Sequence, residues 1–208
     1  MVLTCSNCSG KRYSEMNAAP TLRVKMNSIR KIPAFLSGVF ILEPRVFGDE
    51  RGFFFESYNQ QAMAELGITE RFVQDNHSCS CRNVVRGLHY QIQRAQGKLV
   101  RVADGEILDV AVDLRRSSPT FGRWEAVRLS GENKRMLWIP MGFAHGFSVI
   151  SERAHVLYKT TDFYAPEHER TLAWNDSELK IDWGLKENPI VSEKDQRGAA
   201  LRDAETFD

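Results

Sequence analysis

The sequence predicts an all-β domain, an antiparallel sandwich or small barrel, and three observations carry that expectation. About ten short β-prone runs follow one another from residue 38 onward, separated by glycine, proline, serine and aspartate. One of them, 107–114, alternates at period two. Helical patterning is convincing in one segment only, so alternating βαβ units around a parallel sheet are a poor reading.

The elements can be justified in order. Residues 1–32 are polar and lack sustained periodicity, with Ser, Asn, Lys and Pro20 interspersed, which predicts a weakly ordered extension ahead of a domain over 33–208. Met26 could serve as a second start. The run 39–42 is β-prone and stops at Pro44, and 48–52 (GDERG) reads as a turn into 53–57 (FFFES). The segment 59–66 (NQQAMAEL) is the helix, ended by Gly67 and capped by Asn59 or Ser57. Strands are then expected at 71–77, 84–91, 98–103 and 107–114. In the last of these Leu108, Val110, Val112 and Leu114 share one face and Asp109, Ala111 and Asp113 the other, which predicts a half-buried strand. Further strands are expected at 124–129, 136–139, 146–150, 156–160 and 171–174, with turns at 117–119, 130–132 and 164–166. The polar tail 192–208 is expected to be helical or irregular.

Composition limits the function. The chain has 208 residues, 42% hydrophobic and 26% charged, with a net charge of +1, which suits one domain plus a tail and gives no electrostatic reason for bulk nucleic-acid or membrane binding. No apolar run approaches the roughly 20 residues needed to cross a bilayer, and the N-terminus lacks an apolar signal core, so a cytoplasmic protein is expected. Cys5 with Cys8 and Cys79 with Cys81 form two close pairs, but neither has a second pair or histidines at zinc spacing, and all four read as free thiols. No glycine-rich phosphate loop opens a helix, because 142–146 (GFAHG) follows a proline turn inside a β region.

The chemistry centres on 83–91 (NVVRGLHYQ), a β-rich run with an arginine and a histidine three residues apart. Histidine, with an ordinary pKa of about 6.5, accepts and returns a proton near neutral pH. A single strand histidine is more often structural, so the case for a base rests on its companions: 51–56, 74–77, Lys98, His145, the Tyr158-Lys159 pair and Lys194-Asp195. Three positions along a regular strand put Arg86 and His89 on opposite faces, so both can line one cavity only if Gly87 permits a bulge or twist. That irregularity is predicted here.

Taken together, GDERGFFFESYN (48–59), FVQDNHS (72–78), VVRGLHYQ (84–91), AQGKLVRV (95–102), SPTFGRW (118–124), LWIPMGFAHGF (137–147), LYKTTDFY (157–164) and SEKD (192–195) resemble the dTDP-4-dehydrorhamnose 3,5-epimerase family. The resemblance runs in order from about residue 38 to 200 and leaves out the first thirty residues. It implies a cupin-like jelly-roll barrel with a few short peripheral helices, a homodimer, and catalysis with no metal and no organic cofactor. The implied substrate is a dTDP-4-keto-6-deoxyhexose, inverted at carbon 3 and carbon 5 on the route to dTDP-L-rhamnose.

Epimerisation beside a ketone needs a base for a weakly acidic C–H, a stabiliser for the enolate, and an acid on the opposite face. The resemblance assigns His89 as the base, Asp195 as its carboxylate partner, Tyr158 as the proton donor, and Lys98 as the cation beside the keto oxygen. It places Arg51, Phe54, Glu56, Gln74, Asn76, Arg86, His145, Glu169 and Lys194 against the substrate, with some contacts crossing from the partner chain. Taken singly, Asp195 reads as a solvated tail residue and Tyr158 as a core tyrosine; for Phe54, core packing and a place by the nucleotide are equally good readings. The 140-x-142-x-x-145 element resembles the second cupin signature, in which a histidine often binds metal. The first signature wants H-x-H, but Gln91 stands two after His89 and no acidic ligand is near, so metal catalysis is disfavoured. Two rival functions remain: a 3-epimerase or ketoisomerase on a related dTDP-sugar, and a non-catalytic cupin module binding a sugar nucleotide.

Overall fold

The computed structural model describes residues 29–208. The described residues form fourteen strands and two short α-helices: β1 (Ile29–Pro33), β2 (Phe40–Pro44), β3 (Phe47–Asp49), β4 (Gly52–Phe54), α1 (Gln60–Glu65), β5 (Gln74–Cys81), β6 (Val84–Gln91), β7 (Lys98–Asp104), β8 (Glu106–Asp113), β9 (Trp124–Ser130), β10 (Met136–Ile139), β11 (Phe143–Val149), β12 (Arg153–Thr160), β13 (Glu169–Thr171), β14 (Ile190–Val191) and α2 (Glu193–Gln196). One sheet has the order β1-β2-β10-β7-β12-β5; the other has β13-β6-β11-β8-β9, with β14 added beside β6. Nearly every pairing is antiparallel, β14 with β6 being parallel. This is the expected jelly-roll barrel. Among the described residues no helix is long and apolar enough to cross a membrane.

Alternation along the strands makes the interior. Val100, Val102, Leu137, Ile139 and Val156 of the first sheet meet Ile107, Ala111, Val127, Leu129, Phe143, Phe147 and Val149 of the second in one buried cluster. Lys98 continues the inward row of β7, Tyr158 that of β12, His145 that of β11 and Asp109 that of β8, by the same two-residue step. The apolar core therefore gives way, within the same space between the sheets, to titratable side chains.

Two further layers cover the outer faces. Helix α1 packs Met63 with Ile29, Leu42, Leu99, Met136 and Trp138 against the first sheet. Asn59 caps it, as expected, its side-chain oxygen accepting from the N–H of Gln61 and Ala62 at 3.0 and 3.1 Å. The segment from Leu172 to the C-terminus lies over the second sheet, burying Leu172, Leu179, Trp183 and Ala204 against Val85, Tyr90, Val110, Val112 and Leu114.

That C-terminal layer overturns the expectation of a half-buried β8. Asp109, Ala111 and Asp113 face the interior and Val110, Val112 and Leu114 face the covering segment, all with no exposure. A period of two shows that a strand has two chemically different faces; whether either sees water depends on what packs on it. Other boundaries also move. The strand expected at 71–77 is β5, starting at Gln74 and running on to Cys81; β11 begins three residues before the expected 146. The expected extension 1–32 lies mostly outside the described residues; Ile29 to Ile32 belong to β1, which pairs with β2. Cys79 and Cys81 are exposed free thiols on one face of β5, while Cys5 and Cys8 lie outside the described residues.

Candidate active site

The site begins with an irregularity in β6. Against β11, His89 pairs with His145 and Arg86 with Phe147, so three steps on one strand match two on the other. The slip falls at Gly87, whose φ is +106° and whose hypothetical Cβ would sit 2.6 Å from Gly146 Cα and from the His145 carbonyl oxygen. The Gly87–Leu88 peptide is cis. As the spacing predicted, Arg86 and His89 consequently line one cavity, of about 190 Å³, together with Lys98, His145, Tyr158 and Glu169.

His89 is backed by the C-terminal tail. Its Nε2 lies 2.7 Å from Asp195 Oδ1, and Asp195 Oδ2 accepts from the Gly87 N–H at 3.2 Å. Asp195 is 3% exposed, held at the first turn of α2 by Ser192, whose hydroxyl accepts from its N–H. Burial pushes the Asp195 carboxyl up, but the bonds from His89, Gly87 and Ser192 outweigh it and hold the group ionised below the usual carboxylate range. A carboxylate accepting from Nε2–H leaves Nδ1 as the histidine nitrogen with a free lone pair.

Three further groups face the same space. Lys98 is buried, donates to the His89 carbonyl at 3.1 Å, and is pushed down to about 8 by burial, against the pull of Asp109 and Glu169. His145 is buried with its Nε2 2.8 Å from Asp109 Oδ1; burial lowers its pKa despite that carboxylate, favouring neutral imidazole. Tyr158 is raised by burial, with Arg86 opposing and Glu169 reinforcing the shift, so it stays protonated at neutral pH. Arg86 itself donates Nε–H to Ser80 at 2.9 Å.

The remaining candidates divide. Glu169 accepts from Lys194 and from the Tyr164 hydroxyl, both at 2.6 Å; burial raises it, but these two bonds hold it below its ordinary value. Gln74 and Asn76 point inward from β5 and bond each other at 2.9 Å, and the Asn76 Nδ2 is buried without a partner, a free donor for a ligand. Gln74, Asn76 and Lys194 adjoin the cavity without lining it, and Arg51, Phe54 and Glu56 do not line it either. Arg51 pairs with Asp49, Glu56 accepts from Asn59, and Phe54 is 69% exposed on the β3–β4 hairpin, which pairs with neither large sheet. The expected contact set is thus incomplete within one chain.

Sequence reasoning missed Tyr164, Gln91, Gln96, Ser78 and Asp109. The turn expected at 164–166 hides Tyr164, an exposed aromatic that lines the cavity. Asp109 was visible only as a polar position in β8, because the alternation alone does not say that its face is the inner one. Among the described residues no three His, Cys, Asp or Glu side chains gather as a metal-ligand set.

Comparison with known proteins agrees with this architecture. A protein of Pseudomonas aeruginosa named dTDP-4-dehydrorhamnose 3,5-epimerase is 67% identical over 170 residues, 81% of this chain and 94% of the relative. One of the same name from Salmonella typhimurium is 57% identical over 175 residues, 83% of this chain and 96% of the relative. The crystal structure of a dTDP-6-deoxy-D-glucose-3,5-epimerase from Legionella pneumophila, in complex with dTDP-4-keto-L-rhamnose, superposes with a TM-score of 0.83 at 52% identity, covering 85% of this chain and 95% of the other. A 3'-monoepimerase from Streptomyces bikiniensis, solved with dTDP-quinovose, shares the fold at a TM-score of 0.77 and 30% identity, covering 82% of this chain and 87% of its own. The family model for dTDP-4-dehydrorhamnose 3,5-epimerase matches residues 33–203, and the chain belongs to that family.

Proposed function

We propose that this chain inverts carbon 3 and carbon 5 of dTDP-4-dehydro-6-deoxy-D-glucose, giving dTDP-4-dehydro-L-rhamnose, by proton transfer through an enolate and with no metal or organic cofactor. The observation that carries the reading is the shared cavity: His89 with a carboxylate behind it, Tyr158 protonated, and Lys98 buried among them. The ketone at carbon 4 acidifies the C–H bonds on both neighbouring carbons. His89 Nδ1 takes one such proton, and Asp195 stabilises the imidazolium that forms. Negative charge moves to the keto oxygen, where the Lys98 ammonium offsets it at low local dielectric. The Tyr158 phenol then delivers its proton to the opposite face of the carbon, and the two groups re-equilibrate with solvent.

Binding is supplied around that centre. Arg86 suits the sugar or its phosphates, Asn76 and Gln74 suit polar groups, and the exposed Tyr164 ring offers a face for a planar base. The chain acts as a homodimer, each β3–β4 hairpin carrying Arg51, Phe54 and Glu56 to the partner's cavity. The exposed Phe47, Phe53 and Phe54 on that hairpin support this, since such a patch on an otherwise polar turn is an interface signal.

Turnover of dTDP-4-keto-6-deoxyglucose in deuterated water tests the reading by NMR. Two deuterons, at carbons 3 and 5, are expected, with full activity after chelation. One deuteron would assign instead the single epimerisation that the Streptomyces bikiniensis relative performs, and none would overturn the reading altogether.

A further inference from the structure

Gln91 ends β6 two positions after His89 and is 3% exposed at the cavity wall. Its side-chain Nε2 donates to the Arg94 carbonyl at 2.7 Å and the Phe163 carbonyl at 3.3 Å, while its Oε1 accepts from the Ala165 N–H at 2.8 Å. The amide has one workable orientation, because a flip would set its oxygen against two carbonyls. Both of its N–H donors are engaged, so it has none left for a ligand. Whatever Gln91 does for binding, it does through the backbone it holds.

That backbone flanks the cavity mouth. Arg94 belongs to the loop between β6 and β7, and Phe163 and Ala165 to the segment after β12, so one buried side chain joins two loops. Tyr164 stands between the two residues Gln91 grips. Its N–H donates to Gln74 Oε1 at 2.9 Å and its hydroxyl to Glu169 at 2.6 Å, and Glu169 in turn accepts from Lys194. The inner groups are held by other contacts: His89 by Asp195, His145 by Asp109, Arg86 by Ser80.

We propose that Gln91 is a positioning residue for the outer, nucleotide end of the site, fixing where the Tyr164 ring stands while leaving proton transfer to the inner groups. The inference rests on the reading that the cavity takes a nucleotide-linked keto-sugar. It follows that loosening the clamp weakens binding and spares chemistry.

Two variants separate this from a general packing role. Gln91→Met keeps length and removes all three bonds; Gln91→Glu keeps the acceptor and removes both donors. For each, kcat and KM with dTDP-4-keto-6-deoxyglucose, the dTDP dissociation constant and the melting temperature are measured. KM and the dTDP constant are expected to rise about tenfold with kcat within about twofold, the pattern of lost uniform binding. Adding Gln91→Met to Tyr164→Ala should weaken dTDP binding no further than Tyr164→Ala alone, since both act through one element. A fall in kcat at unchanged KM, or fully additive losses, overturns the proposal. If neither variant folds, amide exchange in the wild-type protein decides: strong protection at Ala165 that increases with dTDP supports the clamp, and an unprotected Ala165 overturns it. A wild-type protein that neither binds dTDP nor turns over the sugar would instead fail the functional reading itself.

Discussion

A histidine becomes a directional base when something fixes its tautomer, and for His89, the proposed base, the partner is Asp195, a residue 106 positions away that reaches Nε2 at 2.7 Å. His89→Ala is expected to lower solvent exchange at the substrate carbons by about a hundredfold or more, with dTDP affinity largely retained. Tyr158→Phe should keep the deprotonation step, so deuterium still enters the substrate while inverted product falls. Wild-type product formation in either variant, read by NMR, would remove that residue from its role. Lys98 makes a separate prediction. Its ammonium is held at about 8, so the cation is present below that pH and is lost as pH rises through it. The rate profile of kcat/KM should therefore show a basic limb near pH 8, and Lys98→Met should lose both the limb and most of the activity. A flat profile to pH 10 would exclude an essential charged Lys98.

At the scale of the element, the decisive feature is the slip between β6 and β11. Regular alternation would leave Arg86 and His89 on opposite faces of β6, and the slip at Gly87 brings both to one cavity. Gly87→Ala puts a Cβ within 2.6 Å of backbone on β11, at a positive φ that L side chains rarely adopt. The cost is expected to be on the order of 1–3 kcal/mol from the backbone conformation alone, more with the clash, and a chemical melt would read it. Activity should fall further than stability, because any relief of the clash moves Arg86 or His89. Unchanged kcat in a folded Gly87→Ala protein would show that the slip is dispensable. Strand β8 teaches a related lesson: its alternation was legible, yet the polar face turned inward because a C-terminal layer covers the apolar one.

For the whole molecule, the proposed substrate contacts Arg51, Phe54 and Glu56 stand outside their own chain's cavity lining. They sit on or just after a hairpin that pairs with neither large sheet, and in the proposed homodimer an exchange of hairpins would carry them to the partner's cavity. Mixing inactive Arg51→Ala and His89→Ala proteins should then restore activity through heterodimers, each holding one site with both residues intact. Up to about a quarter of wild-type activity is expected if subunits exchange freely and the sites are independent. No recovery in mixtures shown to exchange subunits would place the hairpin on its own chain. By itself the sequence determined the all-β class, the capped helix, most of the strands and even the need for a bend at Gly87, because alternation and turn residues are local properties; the proposed proton-transfer residues rest on the family resemblance. Only the tertiary structure decided that Asp195 is buried behind His89 rather than solvated in a tail, that Asp109 faces the interior, that Tyr164 guards the mouth, and that the hairpin lies away from its own site. Those facts depend on which distant segments come to pack together, and a strand's pattern carries two faces without saying what will cover either one.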